Sequence, residues 1–259
     1  MKTAVVFISH FINESFLKRY QKLVSDLKGQ YDVYWLFQTD NGISDEPLLQ
    51  KNVNVESFTI SELNDLNYNP IHEHFFGSEH FLDEHFIHRH PEYDYIWTME
   101  YDVVFSGDWR ILIDTFRDND ADFLTTHIAL YCEANKNWEW WPSLSFNEQD
   151  VLPKEKWVKS FNPIHRYSRR ALQFLDIYLQ RDNNAGFSEV LPATALYNHG
   201  FRLEDLGGTG EFVASGNRNR FYVQGAGIHN GTMRWRPEFL LEEIDALKTP
   251  DKLFHPVKE

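Results

Sequence analysis

The sequence is poor in cysteine, in long apolar stretches and in positive charge. Its 259 residues include one cysteine, Cys132, which excludes an internal disulfide framework and a metal site built on several thiolates. No run of about 18 apolar residues occurs, so no membrane-spanning helix is expected. The short apolar run after Met1 indicates a buried strand rather than a signal peptide. We therefore expect a cytoplasmic protein, either free or peripheral at a membrane.

Acidic residues dominate the charge and limit the partners. The 39 Asp and Glu residues outnumber the 25 Lys and Arg residues, which gives a formal net charge of −14. Such a surface repels nucleic acid and anionic lipid, so neither is expected as the main partner. The glycine-rich segment 207–210 fits neither a phosphate-binding loop nor a dinucleotide fingerprint. The sequence also lacks a Gly-x-Ser-x-Gly elbow, which argues against a serine hydrolase.

Strand and helix patterns alternate along the chain and predict one α/β domain with a mostly parallel central sheet flanked by helices. Strands are predicted at 3–9, 31–38, 53–60, 93–99 and 122–127, and helices at 14–28, 78–90, 108–118, 166–181, 188–199 and 237–247. Residues 136–162 show no regular pattern and are expected to form a loop region that contains Trp and Pro.

Polar side chains follow three of these strands. Ser9 follows the first strand, Asp40 the second, and Glu100-Tyr101-Asp102 the central one. Ligands of parallel sheets bind beyond the carboxyl ends of the strands. Glu100 and Asp102 project the same way from extended backbone, so they can share one cation or ligand. Carboxylate oxygens favour Mg²⁺ or Mn²⁺, although a solvated turn would explain the same spacing.

The segment around this acidic pair resembles a known family. Residues 91–109 read PEYDYIWTMEYDVVFSGDW, an aromatic-rich strand that ends in an acid-x-acid triplet similar to a DXD motif. The segment resembles the nucleotide-sugar-dependent glycosyltransferases of the GT-A fold, above all the fungal α-mannosyltransferase branch. A strand at the N-terminus, an aromatic-rich helix, a later Gly-x-x-Glu segment and a His near the C-terminus follow in the same order. Two departures are the central Tyr101 and the loop 136–162, which has no counterpart in that family.

The resemblance implies a GT-A-like (Rossmann-like) domain over 1–259. Residues 1–130 would be the nucleotide-binding half, and residues 131–259 the acceptor half with a C-terminal lid. The implied activity is hexosyl transfer from a nucleoside-diphosphate-sugar donor to a hydroxyl group of a glycan, a polysaccharide or a lipid-linked sugar. Two alternatives remain open: a non-catalytic carbohydrate-binding relative, and a metal-dependent nucleotidyltransferase or phosphoesterase.

The resemblance also implies a metal site. Asp102 would hold the Mn²⁺ or Mg²⁺ that bridges the donor's diphosphate, and Glu100 would bind the same ion through water or contact the ribose. His229, between Gly-rich flanks at 224–231, would supply a second ligand, and its imidazole favours Mn²⁺. A lone His after a strand is otherwise commonly structural.

Further candidates surround this predicted metal site. Ser9, His10, Asn13, Asp40 and Tyr101 would contact the donor, with ordinary turn and cap roles as the alternative. The remaining candidates are the diphosphate-binding lid residues Arg234 and Arg236, the catalytic carboxylate Glu189, and the acceptor-stacking residues Trp138, Trp140 and Trp141.

Each of these last candidates has a simpler explanation. The two arginines could form an exposed basic tail, and Glu189 could favour the dipole of a helix that it opens. The Trp residues could form a packed lid or a protein contact. Six histidines lie between His72 and His90, where His85 and His88 could share a helix face without an obvious third metal ligand.

Overall fold

A seven-stranded sheet forms the centre of the molecule, in a computed structural model that describes residues 1–72, 76–225 and 229–258. The strands are β1 (Thr3–Ser9), β2 (Asp32–Gln38), β3 (Val55–Phe58), β4 (Tyr95–Glu100), β5 (Val104–Phe105), β6 (Phe123–Leu130), β7 (Val158–Ser168), β8 (Leu203–Asp205), β9 (Phe239–Leu240), β10 (Leu253–Phe254) and β11 (Val257–Lys258). The helices are α1 (Glu14–Leu27), α2 (Glu46–Leu49), α3 (Ile60–Asn64), α4 (His80–Arg89), α5 (Trp109–Thr115), α6 (Arg169–Leu179), α7 (Leu191–Asn198) and α8 (Leu241–Leu247).

The large sheet has the strand order β3-β2-β1-β4-β7-β6-β8. Neighbouring strands in this sheet run parallel, except that β7 runs antiparallel to both β4 and β6. Two small pairs, β5 with β10 and β9 with β11, lie outside this sheet. The prediction of an α/β fold with a mostly parallel central sheet is therefore confirmed.

Apolar residues on both faces of β1 explain why it lies inside the sheet. Ala4, Val6 and Ile8 belong to one buried cluster, and Val5 and Phe7 belong to the other. Helices α1 and α5 cover the second face, whereas α4, α6 and α7 cover the first. A strand that is buried on both sides carries the continuous apolar run seen in the sequence. None of the helices in the described residues is both long and apolar enough to cross a membrane.

The longest strand, β7, was missed because it carries charged residues. The segment 158–168, predicted as the end of a loop and the start of a helix, forms β7. Arg166 is buried in this strand and donates hydrogen bonds to the carbonyl oxygens of Phe116, Asn119 and Ala121. These backbone partners allow a guanidinium to occupy an interior strand position, which an apolar pattern cannot reveal.

The helices after β7 begin later than predicted. Helix α6 starts at Arg169, because the Ser168 side chain accepts a hydrogen bond from the backbone N–H of Ala171 and caps the helix. Helix α7 starts at Leu191 rather than at residue 188. Glu189 therefore precedes that helix instead of opening it.

Candidate active site

A cavity of about 500 Å³ opens at the carboxyl ends of β1, β2 and β4. Its polar lining includes Ser9, Gln38 and the Glu100-Tyr101-Asp102 triplet, each from the end of one of these strands. The cavity therefore lies where a parallel sheet is expected to bind a ligand.

Three side chains at this cavity form a group that could hold a metal ion. One ligand atom from each of Glu100, Asp102 and His255 lies within 4.8 Å of the other two. His255 Nε2 is 3.5 Å from Glu100 Oε2 and 3.4 Å from Asp102 Oδ1. Asp102 Oδ1 is buried and accepts no hydrogen bond from the described residues.

The C-terminal segment delivers His255 to the carboxylates. His255 lies between β10, which pairs with β5, and β11, and the backbone N–H of Val257 donates to the Asp102 carbonyl at 2.9 Å. His255 Nδ1 is 2.9 Å from the carbonyl oxygen of Arg234, so Nδ1 carries a proton and donates it. This contact turns Nε2 towards Glu100 and Asp102, the arrangement by which proteins orient imidazole ligands.

Opposite charges in this group shift one another's pKa values. Burial alone would lower the pKa of His255, but Asp102 and Glu100 outweigh it and raise the pKa to about 9. Burial would likewise raise the pKa of Asp102, but the neighbouring positive groups of His255 and Lys258 lower it. Lys258 Nζ lies 3.1 Å from Asp102 Oδ2. A divalent cation would replace the Nε2 proton as the partner of the two carboxylates.

His229, the ligand expected from the sequence, is not part of this group. It lies in an exposed turn, and the described residues place His255 beside the carboxylates instead. The adjacent residues 226–228 lie outside the described part of the chain. Both histidines come late in the sequence, but β10 and β11 have two residues each and give no periodic signal that would mark His255.

The predicted donor-binding residues divide into two sets. Ser9, His10 and Tyr101 line the cavity, whereas Asn13 and Asp40 do not. The Asn13 side chain accepts from the backbone N–H of Phe16 at 2.8 Å and caps α1. Asp40 Oδ2 accepts from the backbone N–H of Ile60 at 2.9 Å, at the start of α3. These two residues thus have the cap and turn roles that were the alternative.

The two predicted lid arginines also differ. Arg236 lines the cavity, and its half-exposed guanidinium pairs with Glu238. Arg234 instead stacks 3.7 Å from the ring centre of Phe239 and donates from Nε to the Pro237 carbonyl oxygen at 2.6 Å. Of the two, Arg236 is therefore the arginine that a ligand in the cavity can contact.

Glu189 lines a narrower cleft of about 60 Å³ beside the main cavity, and Glu79 and Glu100 line both. Glu189 is buried, and its Oε2 atom accepts no hydrogen bond from the described residues. Burial, reinforced by the charge of Glu79, raises its pKa well above the ordinary range. Its backbone carbonyl accepts from the Ser160 N–H at 2.8 Å, which fixes it against β7. A carboxylate with these properties suits proton transfer.

The three loop tryptophans pack mainly against protein. Trp141 is buried, and Trp140 stacks on Phe187 with ring centres 3.8 Å apart and an interplanar angle of 6°. Lys159 Nζ lies 4.1 Å from the ring centre of Trp138. None of the three lines the main cavity or the cleft. These contacts are those of the packed-lid alternative.

Two other aromatic residues border both spaces. Phe76 and Trp235 line the main cavity and the cleft, and they remain 49% and 36% exposed. Sequence reasoning missed both, because Trp235 is isolated from the other tryptophans and the Phe75-Phe76 pair fits no recognised motif. Trp235 directly precedes Arg236, and Phe76 follows the segment 73–75, which lies outside the described residues.

No protein-family model and no curated protein sequence matches this chain. Several solved structures are similar in shape at low sequence identity. One is the 4-diphosphocytidyl-2C-methyl-D-erythritol synthase of Anaerococcus prevotii, with 8% identity over 79% of this chain and 87% of that one at a TM-score of 0.44.

Two similar structures are glycosyltransferases. One is involved in the glycosylation of the major capsid of PBCV-1, with 10% identity over 98% of this chain and 92% of that one at a TM-score of 0.40. Mouse xyloside xylosyltransferase 1 has 12% identity over 77% of this chain and 82% of that one at a TM-score of 0.39. Similarity at this level does not carry a function from one chain to another, so the site itself must support the proposal.

Proposed function

We propose that this protein is a metal-dependent glycosyltransferase that moves a sugar from a nucleoside-diphosphate-sugar to a hydroxyl group of a glycan or lipid-linked sugar. The observation that carries the proposal is the group of Glu100, Asp102 and His255 at the mouth of the strand-end cavity. In this proposal residues 1–130 supply most of the nucleotide site, and residues 131–259 supply the acceptor site and the closing segment.

The side chains fit a Mn²⁺ or Mg²⁺ ion. Asp102 offers a buried oxygen that accepts no hydrogen bond from residues 1–72, 76–225 and 229–258, and His255 offers a nitrogen whose orientation is fixed by the contact of its ring with the Arg234 carbonyl. Two carboxylates and one imidazole form a donor set that favours Mn²⁺ over Mg²⁺. When bound, the metal would neutralise the charge that develops on the diphosphate as the glycosidic bond breaks.

Two cationic side chains near the C-terminus would assist the metal in binding the diphosphate. Lys258 and Arg236 both line the cavity, and Lys258 already contacts Asp102. Arg236 is exposed and pairs with Glu238, also an exposed residue, so it can turn towards a phosphate with little loss of packing. Both would attract the diphosphate oxygens, and the strand-end residues Ser9 and His10, which line the same cavity, would also contact the donor.

Glu189 would accept the proton of the attacking acceptor hydroxyl. Glu189 lines the cleft that adjoins the cavity, its buried Oε2 atom accepts no hydrogen bond from the described residues, and Glu100 borders both spaces. An acceptor that lies across the exposed rings of Phe76 and Trp235 would place its hydroxyl between the donor and Glu189. Sugar rings present C–H faces that stack well on such aromatic side chains.

A product assay tests the proposal. The protein is incubated with UDP-, GDP-, CDP- and ADP-sugars and Mn²⁺, and the released nucleotide is identified by chromatography. Release of a nucleoside diphosphate, abolished by Asp102→Asn, supports glycosyl transfer. Pyrophosphate formed from a sugar phosphate and a nucleoside triphosphate would instead assign the site to a nucleotidyltransferase.

The carbohydrate-binding alternative makes a different prediction. It requires glycan binding that is independent of metal and survives Asp102→Asn. Glycan-array binding that is unchanged by EDTA, together with no turnover of any nucleotide-sugar, would contradict the proposed activity.

A further inference from the structure

A second group of potential metal ligands lies between α4 and α6, away from the cavity. One ligand atom from each of Glu84, His88 and Asp176 lies within 4.8 Å of the other two. Glu84 and His88 are separated by one helical turn on α4, so both project from the same face. Asp176 comes from α6 and supplies the third ligand that the helix pattern alone did not show.

Glu84 is the observation that points to a ligand. Its side chain is 99% buried, and neither carboxylate oxygen has a hydrogen-bond partner among the described residues. An ionised carboxylate in such a place is costly unless a cation accompanies it. Asp176 and His88 each place a ligand atom within 4.8 Å of a Glu84 oxygen, and Asp176 adds a second negative charge.

The other two side chains, Asp176 and His88, are placed so that they can bind a metal ion. Asp176 Oδ1 accepts hydrogen bonds from Tyr68 Oη at 2.6 Å and from Gln180 Nε2 at 3.1 Å, which fix the carboxylate. Its second oxygen, Oδ2, stays free of these bonds and lies 3.5 Å from His88 Nε2. The His88 side chain is 44% exposed, so an ion can reach the group from solvent.

These distances suit a small divalent cation. Tetrahedral zinc, with bonds of about 2.0–2.1 Å to nitrogen and oxygen, has neighbouring ligand atoms about 3.3 Å apart. The His88–Asp176 separation of 3.5 Å is already close to that value. Glu84, whose ligand atom lies within 4.8 Å of the other two, needs a side-chain adjustment of about 1.5 Å or less to reach this spacing, and water would occupy the fourth position.

We propose that Glu84, His88 and Asp176 bind a Zn²⁺ ion that ties α4 to α6, separately from the metal of the active site. Leu82 of α4 and the preceding Glu79 line the cavity. An ion at Glu84 and His88 would therefore stabilise the helix that forms one wall of the active site. The remaining histidines of the 72–90 stretch do not join this group, and His74 lies outside the described residues.

Zinc content and thermal stability test this proposal in the full-length protein. The Asp102→Asn variant disables the active-site group, so zinc that it retains reports on the second site. After EDTA treatment and addition of ZnCl₂, this variant should retain one zinc per chain after gel filtration. Its melting midpoint should rise by several degrees, the shift expected at about 100 times the dissociation constant.

Variants at the ligands provide the decisive comparison. Adding Glu84→Gln or His88→Ala to Asp102→Asn should weaken zinc binding by more than about 10-fold and remove the thermal shift. His88 is exposed enough that its replacement should leave the fold intact. Adding His85→Gln is the matched control, because His85 is on the same helix but contacts Arg89, and zinc binding should persist. Zinc binding that survives both ligand changes, or is absent from Asp102→Asn alone, would overturn the proposal.

Discussion

Single residues at the proposed active site combine burial with charge, and their effects can be separated by conservative substitutions. Asp102 is held by His255 and Lys258, whereas Glu189 has a buried oxygen that accepts no hydrogen bond within the described part of the chain. The first arrangement suits a ligand that binds a cation, and the second suits a group that exchanges protons. Replacing each carboxylate by its amide should therefore affect catalysis in different ways, through metal binding for Asp102 and through proton transfer for Glu189.

Asp102→Asn should lower turnover by about 100-fold or more, because it weakens the site that stabilises charge on the leaving diphosphate. Steady-state assays at saturating Mn²⁺ measure the effect. Asp118→Asn, at an exposed position after α5, is the control and should leave turnover unchanged. Near wild-type turnover in Asp102→Asn would remove Asp102 from the metal site.

Glu189→Gln should lower turnover by about 10²- to 10⁴-fold, the range for loss of a general base, and leave donor binding intact. Because burial raises the pKa of Glu189, the wild-type rate should increase with pH above the ordinary carboxylate range as Glu189 loses its proton. A pH–rate profile measures this increase, which Glu189→Gln should abolish. Exposed Glu148 provides the control, Glu148→Gln. An unchanged profile in Glu189→Gln would refute the assigned role.

At the scale of elements, the sequence predicted the parts of the fold whose burial pattern is regular. Strands β1, β2 and β4 carry apolar runs, and the acidic triplet at the end of β4 marked the correct edge of the sheet. Strand β7 was missed because buried His165 and Arg166 obtain partners from distant elements. His255 was missed for a related reason, since only the folded chain brings β10 and β11 to β4.

Loop residues 138–141 should matter for stability more than for sugar binding. Trp141→Ala should lower the free energy of unfolding by about 3–5 kcal/mol, because it removes a buried indole from a packed cluster. Trp235→Ala should change stability by less than about 1 kcal/mol and raise KM for the acceptor. Urea unfolding and acceptor titration measure the two effects. If Trp141→Ala raised KM for the acceptor with little loss of stability, and Trp235→Ala left KM unchanged, the acceptor would instead bind at the 138–141 loop.

A buried ion pair connects α4 with the sheet. Asp83 accepts from Thr98 Oγ1 at 2.5 Å and lies 2.9 Å from His165 Nε2. His165 Nδ1 faces the Asn162 carbonyl at 2.9 Å, so both ring nitrogens donate. Burial would lower the pKa of His165, but Asp83 outweighs it and raises the pKa.

Asp83→Asn should therefore lower the free energy of unfolding by about 3 kcal/mol near pH 6, where His165 is charged. The stabilisation from a raised histidine pKa is present below its unfolded value of about 6.5 and is lost as pH rises through the folded value. The difference between wild type and Asp83→Asn should thus shrink towards pH 9 in denaturant titrations. Thr98→Val is the control, with a smaller cost that is constant over this range. A difference that grows with pH would contradict the charged pair.

At the scale of the whole molecule, one sheet edge gathers groups from distant parts of the chain. Strand ends of β1, β2 and β4 form one side of the cavity, and Trp235, Arg236, His255 and Lys258 approach from the C-terminal segment. Arg236, His255 and Lys258 thus place positive groups in the cavity of a protein whose formal net charge is −14. With a metal ion on the neighbouring carboxylates, an anionic nucleotide is expected to bind here.

The central claim is that this cavity binds a nucleoside diphosphate through a metal held by Asp102. The most direct measurement is a thermal-shift comparison of UDP, GDP, CDP and ADP, each with and without Mn²⁺, in wild type and Asp102→Asn. At about 100 times the dissociation constant, binding adds about 2.7 kcal/mol and should raise the midpoint by several degrees. The account predicts a shift with one nucleotide, in wild type, only when Mn²⁺ is present. A shift that is independent of Mn²⁺ and equal in Asp102→Asn, or no shift with any nucleotide, would contradict it.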